Sequence, residues 1–314
     1  MEYSAYLTVA GELVTSVNDQ EFGTEEAIKE AEESAGEALA GTAVEGPTAR
    51  QIKALAAKKE AKAQAAVERV ERNEGGGVEP SDISSASGIA SAATGGNTIS
   101  WSKATKCADT SYALIADHPK SGTNAGGYQN VRWYYNPANQ PSTYTDAAYK
   151  NRLTGAADTW DVLWNNCGIE TPLPNYFMDY GGTTSAAANC SSSVPVNVAG
   201  WATLSKVDTV AETCSFWWAN GDTRFIMRFN LSRLFYAAAS ESGCSAGRFD
   251  LEAIANHEFG HALGLDHVAQ STSLVMRPTS GACEMYHRYL GRGDIRGVKA
   301  KYGSGFWGQN SAHP

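Results

Sequence analysis

The amino-acid sequence predicts an α+β fold for residues 98–314, with a mixed twisted sheet and helices at its end. In several short runs apolar residues alternate with polar ones, which is the period of a half-buried strand. In longer runs they recur at spacings of three and four, which is the period of an amphipathic helix. These runs follow the order strand, helix, several strands, helix, helix, and that grouping favours an α+β domain.

The first strand and the first helix are predicted from QNVRWYYN and from the segment that follows it. Residues 129–136 place Val131, Trp133 and Tyr135 on one face at period two. From 145 to 166 a long apolar stripe recurs at helical spacing. Its members are Tyr149, Leu153, Ala156, Trp160 and Leu163.

Three further β-like runs and two C-terminal helices complete the predicted domain. NYFMDYG, VPVNVAGW and TRFIMRFNL are short and are separated by Gly, Ser and Asn clusters. Asp250 is the expected N-cap of a helix that runs from Leu251 through Ala262. Asp294 is expected to cap the last helix, which carries Ile295, Val298 and Tyr302 and ends at Gly303.

The composition changes abruptly near residue 97, which predicts three regions. Residues 1–74 form an acidic, helical N-terminal segment, with two helices joined at Gly46–Pro47, and residues 75–97 form a Gly/Ser-rich linker. Residues 98–314 contain all eight tryptophans and all six cysteines. The front segment has few large apolar residues, so it either docks on the main domain or stays mobile. Two interpretations stay open: a solvated, partly disordered tail, or a removable prosegment.

The charge distribution limits the classes of partner. Residues 1–97 carry 8 Lys and Arg against 17 Asp and Glu, whereas residues 98–314 carry 17 of each, so the net charge of −9 belongs to the front segment. A balanced main domain gives no reason to expect nucleic acid or an anionic membrane. No stretch reaches the roughly 18 apolar residues that a membrane span needs. We therefore expect no nucleic-acid partner and no membrane span, and we expect the protein to be a monomer.

The cysteines indicate an oxidising compartment. They form an even set without a C-x-x-C pair, at Cys107, Cys167, Cys190, Cys214, Cys244 and Cys283. We expect three disulfides and a secreted, extracellular protein, with free buried thiols as the alternative. The sequence does not choose among the possible pairings. The N-terminus lacks a basic leader and is a poor signal peptide as written, so we expect a leader further upstream or another export route.

Three of the six histidines lie within HEFGHALGLDH, residues 257–267. On a helix, residues four apart differ by about 40° in azimuth, so His257 and His261 project side by side and can share a metal. Glu258 lies next to that metal without being forced to bind it. Gly264 lets the chain leave the helix, and His267 can return as a third ligand. Three neutral imidazoles leave zinc an open position for water, and an adjacent carboxylate can take the proton of that water.

This run resembles the extended zinc motif of the metzincin metallopeptidases, and its residues are most similar to those of the matrixins. The resemblance implies a metzincin-like zincin domain with an active-site helix and a C-terminal helix. In SLVMRP, Met276 stands where metzincins have their Met-turn, which implies an apolar floor under the zinc ligands. Pro278 is then implied in the wall of the main substrate pocket. Residues 293–303 are similar to the terminal helix of matrixin catalytic domains.

The sequence also departs from the matrixin pattern. Only His118 lies upstream of the motif, so a second, structural zinc is not expected, and the disulfides can supply the missing rigidity. Residues 1–97 contain no cysteine with which to block the zinc, and no tyrosine ligand is expected two places after Met276. A calcium site stays open and unplaced. Asp266 either hydrogen-bonds near the motif or faces solvent, and His287 and His313 are expected at the surface.

The resemblance implies a zinc-dependent metalloendopeptidase that hydrolyses protein or peptide substrates. In the implied mechanism, zinc polarises the scissile carbonyl while Glu258 deprotonates the attacking water and passes the proton to the leaving amine. An edge strand above the active-site helix should pair with extended substrate, although the sequence does not identify that strand. The alternatives are a non-catalytic zinc-binding module, which the presence of Glu258 opposes, and a hydrolase of non-peptide substrates.

Overall fold

The computed structural model describes residues 2–9, 103–125, 128–169, 172–206, 208–240, 243–245, 247–269 and 273–303. Within these ranges the helices are α1 (Lys103–Ala108), α2 (Asp146–Val162), α3 (Leu251–Ala262) and α4 (Arg292–Tyr302), with a 3₁₀ turn at Met285–Arg288. None of the described helices combines the length and apolar character needed to cross a bilayer. The helices predicted within 20–74 and the linker at 75–97 lie outside the described residues.

The strands are β1 (Glu2–Val9), β2 (Ala113–Leu114), β3 (Thr123–Ala125), β4 (Tyr128–Tyr135), β5 (Tyr176–Thr183), β6 (Val198–Ala202), β7 (Thr209–Trp217), β8 (Thr223–Asn230), β9 (Leu234–Tyr236), β10 (Arg248–Asp250), β11 (Leu265–Asp266) and β12 (Thr279–Ser280). The main sheet has the order β12-β1-β7-β8-β6-β4-β3, and β5 also pairs with β4. Strands β4, β5, β6 and β8 are parallel, whereas β7 is antiparallel to β8 and β3 to β4. The sheet is therefore mixed, and the predicted α+β class is confirmed.

The core lies between the sheet and helices α2 and α3. Val131, Trp133 and Tyr135 of β4 are buried, as their period-two spacing predicts. The whole predicted stripe of α2 is buried too. The indole N–H of Trp160 donates to the carbonyl oxygen of Asn256 at 2.8 Å, and the ring of Trp133 packs edge-on to Phe259. The first contact joins α3 to α2, and the second joins α3 to the sheet.

The start of the last helix differs from the prediction that Asp294 caps it. Helix α4 begins at Arg292, with Gly291 as its N-cap, so Asp294 lies inside the first turn. Its carboxylate accepts hydrogen bonds from the backbone N–H groups of Gly291 (2.8 Å), Val275 (3.1 Å) and Met276 (3.3 Å). The buried carboxylate thus joins two segments that are distant in sequence, which spacing alone does not indicate. The helix ends at Gly303, where φ is 78°, as predicted.

Strand β7, TVAETCSFW, was not among the predicted strands. Its residues are buried except for Trp217 at its end, although several of them are polar. Two of the polar side chains have distant partners: Glu212 forms an ion pair with Arg228, and Thr213 hydrogen-bonds Glu258. Because both faces of this strand are buried, its sequence lacks the alternation of apolar and polar residues that identifies a half-buried strand.

The six cysteines form three disulfides, as their even number predicts. The pairs are Cys107–Cys167, Cys190–Cys214 and Cys244–Cys283, with Cα–Cα separations of 5.3, 5.7 and 5.8 Å. The first joins the end of α1 to the loop after α2. The second ties β7 to the loop before β6, and the third ties the loop before β10 to the segment after β12. Each disulfide therefore links two segments that are distant in sequence, and such cross-links restrict the unfolded chain.

Candidate metal centre

Helix α3 presents the first two histidines of the motif. Asp250 caps it in an extended conformation and accepts the N–H of Ala253 at 2.9 Å, as the sequence predicts. The same carboxylate forms a bidentate, fully buried pair with Arg288, at 2.5 and 2.9 Å. With its start fixed in this way, the helix projects His257 and His261 from one face, one turn apart.

The three imidazoles converge on one point. At Gly264 the chain takes φ 85°, which is favourable only for glycine, and then reverses through β11 to bring His267 back. The Nε2 atoms are 2.9 Å apart for His257 and His261, 3.1 Å for His261 and His267, and 3.2 Å for His257 and His267. All three predicted ligands are therefore brought together.

The hydrogen bonds of the outer ring nitrogens define the tautomers. Nδ1 of His257 lies 2.7 Å from the carbonyl oxygen of Val275, and Nδ1 of His261 lies 2.9 Å from that of Leu265. Because a carbonyl only accepts, each Nδ1 carries the proton and each Nε2 directs a lone pair at the centre. Tetrahedral zinc at its usual Zn–N distance would place such atoms about 3.3 Å apart. The donor set therefore fits a zinc ion.

The electrostatics keep these ligands neutral. Burial, reinforced by the neighbouring imidazoles, holds the pKa of His257 and of His261 well below the usual value. Burial lowers the pKa of His267 to about 4, against a smaller opposing effect of Asp266. Of the two alternatives for Asp266, the structure shows the hydrogen bond near the motif: its carboxylate accepts the backbone N–H of His267 at 2.7 Å. A neutral imidazole is the form that binds a metal.

Glu258 is fully buried on the same helix. Its Oε2 accepts a 2.6 Å hydrogen bond from the hydroxyl of Thr213 on β7. Its Oε1 has no hydrogen-bond partner among the described residues. Burial raises the pKa of this carboxyl to about 8, and the Thr213 bond opposes that rise. A cation nearby would favour the ionised form. Thr213 was missed by sequence reasoning, because nothing in its local pattern indicates a contact across 45 residues.

Met276 packs against helix α3 at Gly260. It is buried, and its sulfur and methyl group fill the space that a side chain at Gly260 would take. Its carbonyl oxygen accepts the N–H of Val268 at 3.0 Å, just after His267. Pro278 follows at the half-buried end of this segment. The segment from Val275 to Pro278 thus contacts both the helix and the returning loop.

Two of the remaining histidines, His118 and His287, lie outside the cluster. His287, which we expected at the surface, is buried under α3: its carbonyl oxygen accepts from Asn256 at 2.8 Å. His118 is also buried and packs against Trp217. His313 lies outside the described residues. Cys190, Glu212 and Cys214 form a second close group of metal-type side chains, but the two cysteines are joined in a disulfide.

Comparison with known proteins places this region in a family context. Residues 179–303, from β5 through α4, match the family model described as matrixin. Matrix metalloproteinase-20 of Homo sapiens is 44% identical over 55 residues, which are 18% of this chain and 11% of the relative. Macrophage metalloelastase of Oryctolagus cuniculus is 44% identical over 50 residues, 16% of this chain and 11% of the relative. The matches therefore span about a tenth of the length of these relatives.

Proposed function

We propose that this chain, whose residues 179–303 are matrixin-like, is a zinc-dependent endopeptidase that cleaves proteins or peptides. One observation supports this most strongly: three Nε2 atoms lie within 3.2 Å of one another, and two of them belong to a helix that also carries a buried carboxylate. The matrixin family is zinc-dependent, and the donor set suits that metal.

In this proposal His257, His261 and His267 are the metal ligands. Zinc bound there supplies Lewis acidity toward the scissile carbonyl and lowers the pKa of an adjacent water. The carbonyl oxygens of Val275 and Leu265 keep the first two imidazoles in the ligating tautomer and orientation. The Met276 side chain supports the helix from below, which limits motion of the ligands that it carries.

Glu258 is the proposed general base. Thr213 holds Oε2, and Oε1 is left to accept a proton from water and to donate it to the leaving amine. A cation bound beside this buried carboxyl would favour its ionised form, which is the form that takes a proton from water. This role requires that the carboxylate keep one orientation, which its single hydrogen bond provides.

The substrate would lie extended along β7, at the edge where β1 pairs in this structure, with Pro278 in the wall of the pocket for one side chain. Strand β7 carries Thr213 beside the general base, so a chain paired with β7 passes close to the catalytic carboxylate. The three disulfides suit a secreted enzyme, and we propose that the mature protein acts outside the cell as a monomer.

A digest of casein or gelatin with and without a chelator tests the proposed activity. We expect cleavage that a chelator abolishes and that added zinc restores. Zinc binding without any cleavage would instead identify a non-catalytic module. Cleavage that withstands full zinc removal would contradict a metal-dependent mechanism.

A further inference from the structure

The carbonyl groups at the end of helix α3 are bound by side chains from outside the helix. The last carbonyls of a helix have no N–H partner within it and need one elsewhere. The hydroxyl of Ser121 donates a 2.6 Å hydrogen bond to the carbonyl oxygen of Ala262. The hydroxyl of Tyr302 donates a 3.0 Å hydrogen bond to the carbonyl oxygen of Leu263. Two consecutive carbonyls are therefore held by residues that are distant in sequence from the helix.

The two hydroxyl-bearing residues are also bonded to each other. The oxygen of Tyr302 accepts the backbone N–H of Ser121 at 2.9 Å, and each residue is only 2% exposed. Tyr302 belongs to α4, whereas Ser121 lies in the loop before β3. The end of α3 is thus fixed where these two elements meet, and we call this pair of residues the hydroxyl clamp.

The hydroxyl clamp lies at the turn between two of the candidate metal ligands. His261 directly precedes the two clamped carbonyls, and Gly264, with φ 85°, directly follows them. The carbonyl oxygen of Gly264 accepts the N–H of Ile115 at 3.0 Å. The carbonyl of Leu265 is the partner of Nδ1 of His261 at 2.9 Å, and His267 follows two residues later. The path of this turn therefore decides both the orientation of one imidazole and the return of another.

We propose that Ser121 and Tyr302 are positioning residues of the metal centre. Their hydroxyls set its zinc affinity by fixing the turn that connects His261 to His267. This inference rests on the proposed function, because it takes the three histidines as zinc ligands. Loss of a clamp hydroxyl leaves a buried carbonyl without its partner, and the turn has to shift to satisfy that carbonyl. Such a shift displaces the Leu265 carbonyl that orients the His261 ring, and the partners that orient metal ligands affect metal affinity strongly.

The alternative is that the hydroxyl clamp contributes only to the stability of the fold. In that case removal of a clamp hydroxyl lowers Tm and leaves the zinc affinity of the folded protein unchanged. A positioning role instead weakens zinc binding more than the removal of an equivalent buried hydroxyl elsewhere. Zinc affinity thus separates the two cases, whereas Tm alone does not.

The first variant is Tyr302→Phe in the full-length, oxidised protein, which removes one oxygen and keeps the ring that packs against Tyr176. The matched control is Tyr135→Phe on β4. The buried hydroxyl of Tyr135 also donates once and accepts once: it donates to Gln140 at 2.6 Å and accepts from Trp201 at 2.9 Å. We expect the zinc dissociation constant to rise about tenfold or more in Tyr302→Phe and to stay within about twofold in the control.

The second variant, Ser121→Ala, removes the other clamp hydroxyl and should weaken zinc binding in the same direction. The double variant Ser121→Ala/Tyr302→Phe should show less than the product of the two single effects, because both hydroxyls act on one turn. Competition with a fluorescent chelator measures zinc affinity in all variants. The Tm of each metal-free variant measures the loss of stability separately.

Parent-like zinc affinity in either folded clamp variant overturns the inference, as does an equal loss of affinity in Tyr135→Phe. If Tyr302→Phe does not fold, Ser121→Ala decides the matter, and failure of both to fold assigns the clamp to the fold alone. A parent protein that binds no zinc overturns the inference together with the proposed function. If the expected differences in affinity occur in a protein without peptidase activity, the proposed function fails and the inference stands.

Discussion

The hydroxyl of Thr213 donates a 2.6 Å hydrogen bond to Oε2 of Glu258, which joins β7 to the second residue of the histidine motif. It is the one hydrogen bond described for this carboxylate, and the other oxygen has no partner among the described residues. The strand proposed to bind the substrate therefore also orients the proposed general base.

Replacing Thr213 with Val should lower kcat by about 10- to 100-fold, since a hydrogen bond to a charged group contributes about 1.5–3 kcal/mol. Zinc content should be unchanged, because the described hydrogen bonds of the Thr213 hydroxyl go to Glu258 and to none of the three imidazoles. Thr213→Ser retains a hydroxyl and should recover most of the activity. Steady-state kinetics with metal analysis checks this, and a valine variant with normal kcat would show that Thr213 does not position Glu258.

Glu258→Gln should retain zinc and lose about two to four orders of magnitude in kcat, as expected for removal of a general base. The amide has nearly the shape of the carboxylate, so the fold should persist. Glu252→Gln is a poor control because Glu252 pairs with Arg152, so the control for expression and handling is Asp117→Asn, at an exposed position. Activity within tenfold of the parent in Glu258→Gln would assign the base to another residue.

His261→Ala should abolish tight zinc binding, because two imidazoles remain where three converge. His118→Ala is the matched control: it removes a buried histidine that lies outside the cluster. Zinc per chain, measured after gel filtration, should be close to zero in the first variant and unchanged in the second. Full occupancy in His261→Ala would refute the assignment of the ligands.

Gly260→Ala should destabilise the protein, although alanine is the better helix former by about 1 kcal/mol. The added methyl group would overlap the sulfur of Met276 and crowd Trp160, and overpacking of a core costs about 1–3 kcal/mol. Met276→Ala removes the obstructing atoms, so the double variant should lose less stability than the sum of the two single changes. Thermal unfolding of all four proteins measures this coupling, and strict additivity would place Met276 away from Gly260.

The site could be predicted largely because its signals are local. Helical spacing places His257 beside His261, a short polar side chain at 250 caps the helix, and Gly264 supplies the turn before His267. The stripe of α2 and the alternation in β4 are likewise read within one segment. The structure brings the three histidines together as that spacing predicts, and the matrixin resemblance of this region is confirmed by the family match.

Other features depended on partners far along the chain. His287 was expected at the surface, yet the packing of its turn under α3 buries it. Asp294 was expected as an N-cap, yet it binds backbone groups of Val275 and Met276. Strand β7 was missed because residues such as Glu212 and Thr213 are normally expected at the surface. In the structure they are buried, and Glu212 pairs with Arg228 while Thr213 hydrogen-bonds Glu258.

The sequence by itself determined the helix of the motif, its cap, the turn after it and the set of candidate ligands. These depend on backbone conformation and on side chains within about two turns of one another. Only the tertiary structure decided which strand lies beside Glu258 and that residues 2–9 pair with β7 and β12. The backbone groups of a strand edge accept almost any extended segment, so no residue pattern in either strand identifies its partner.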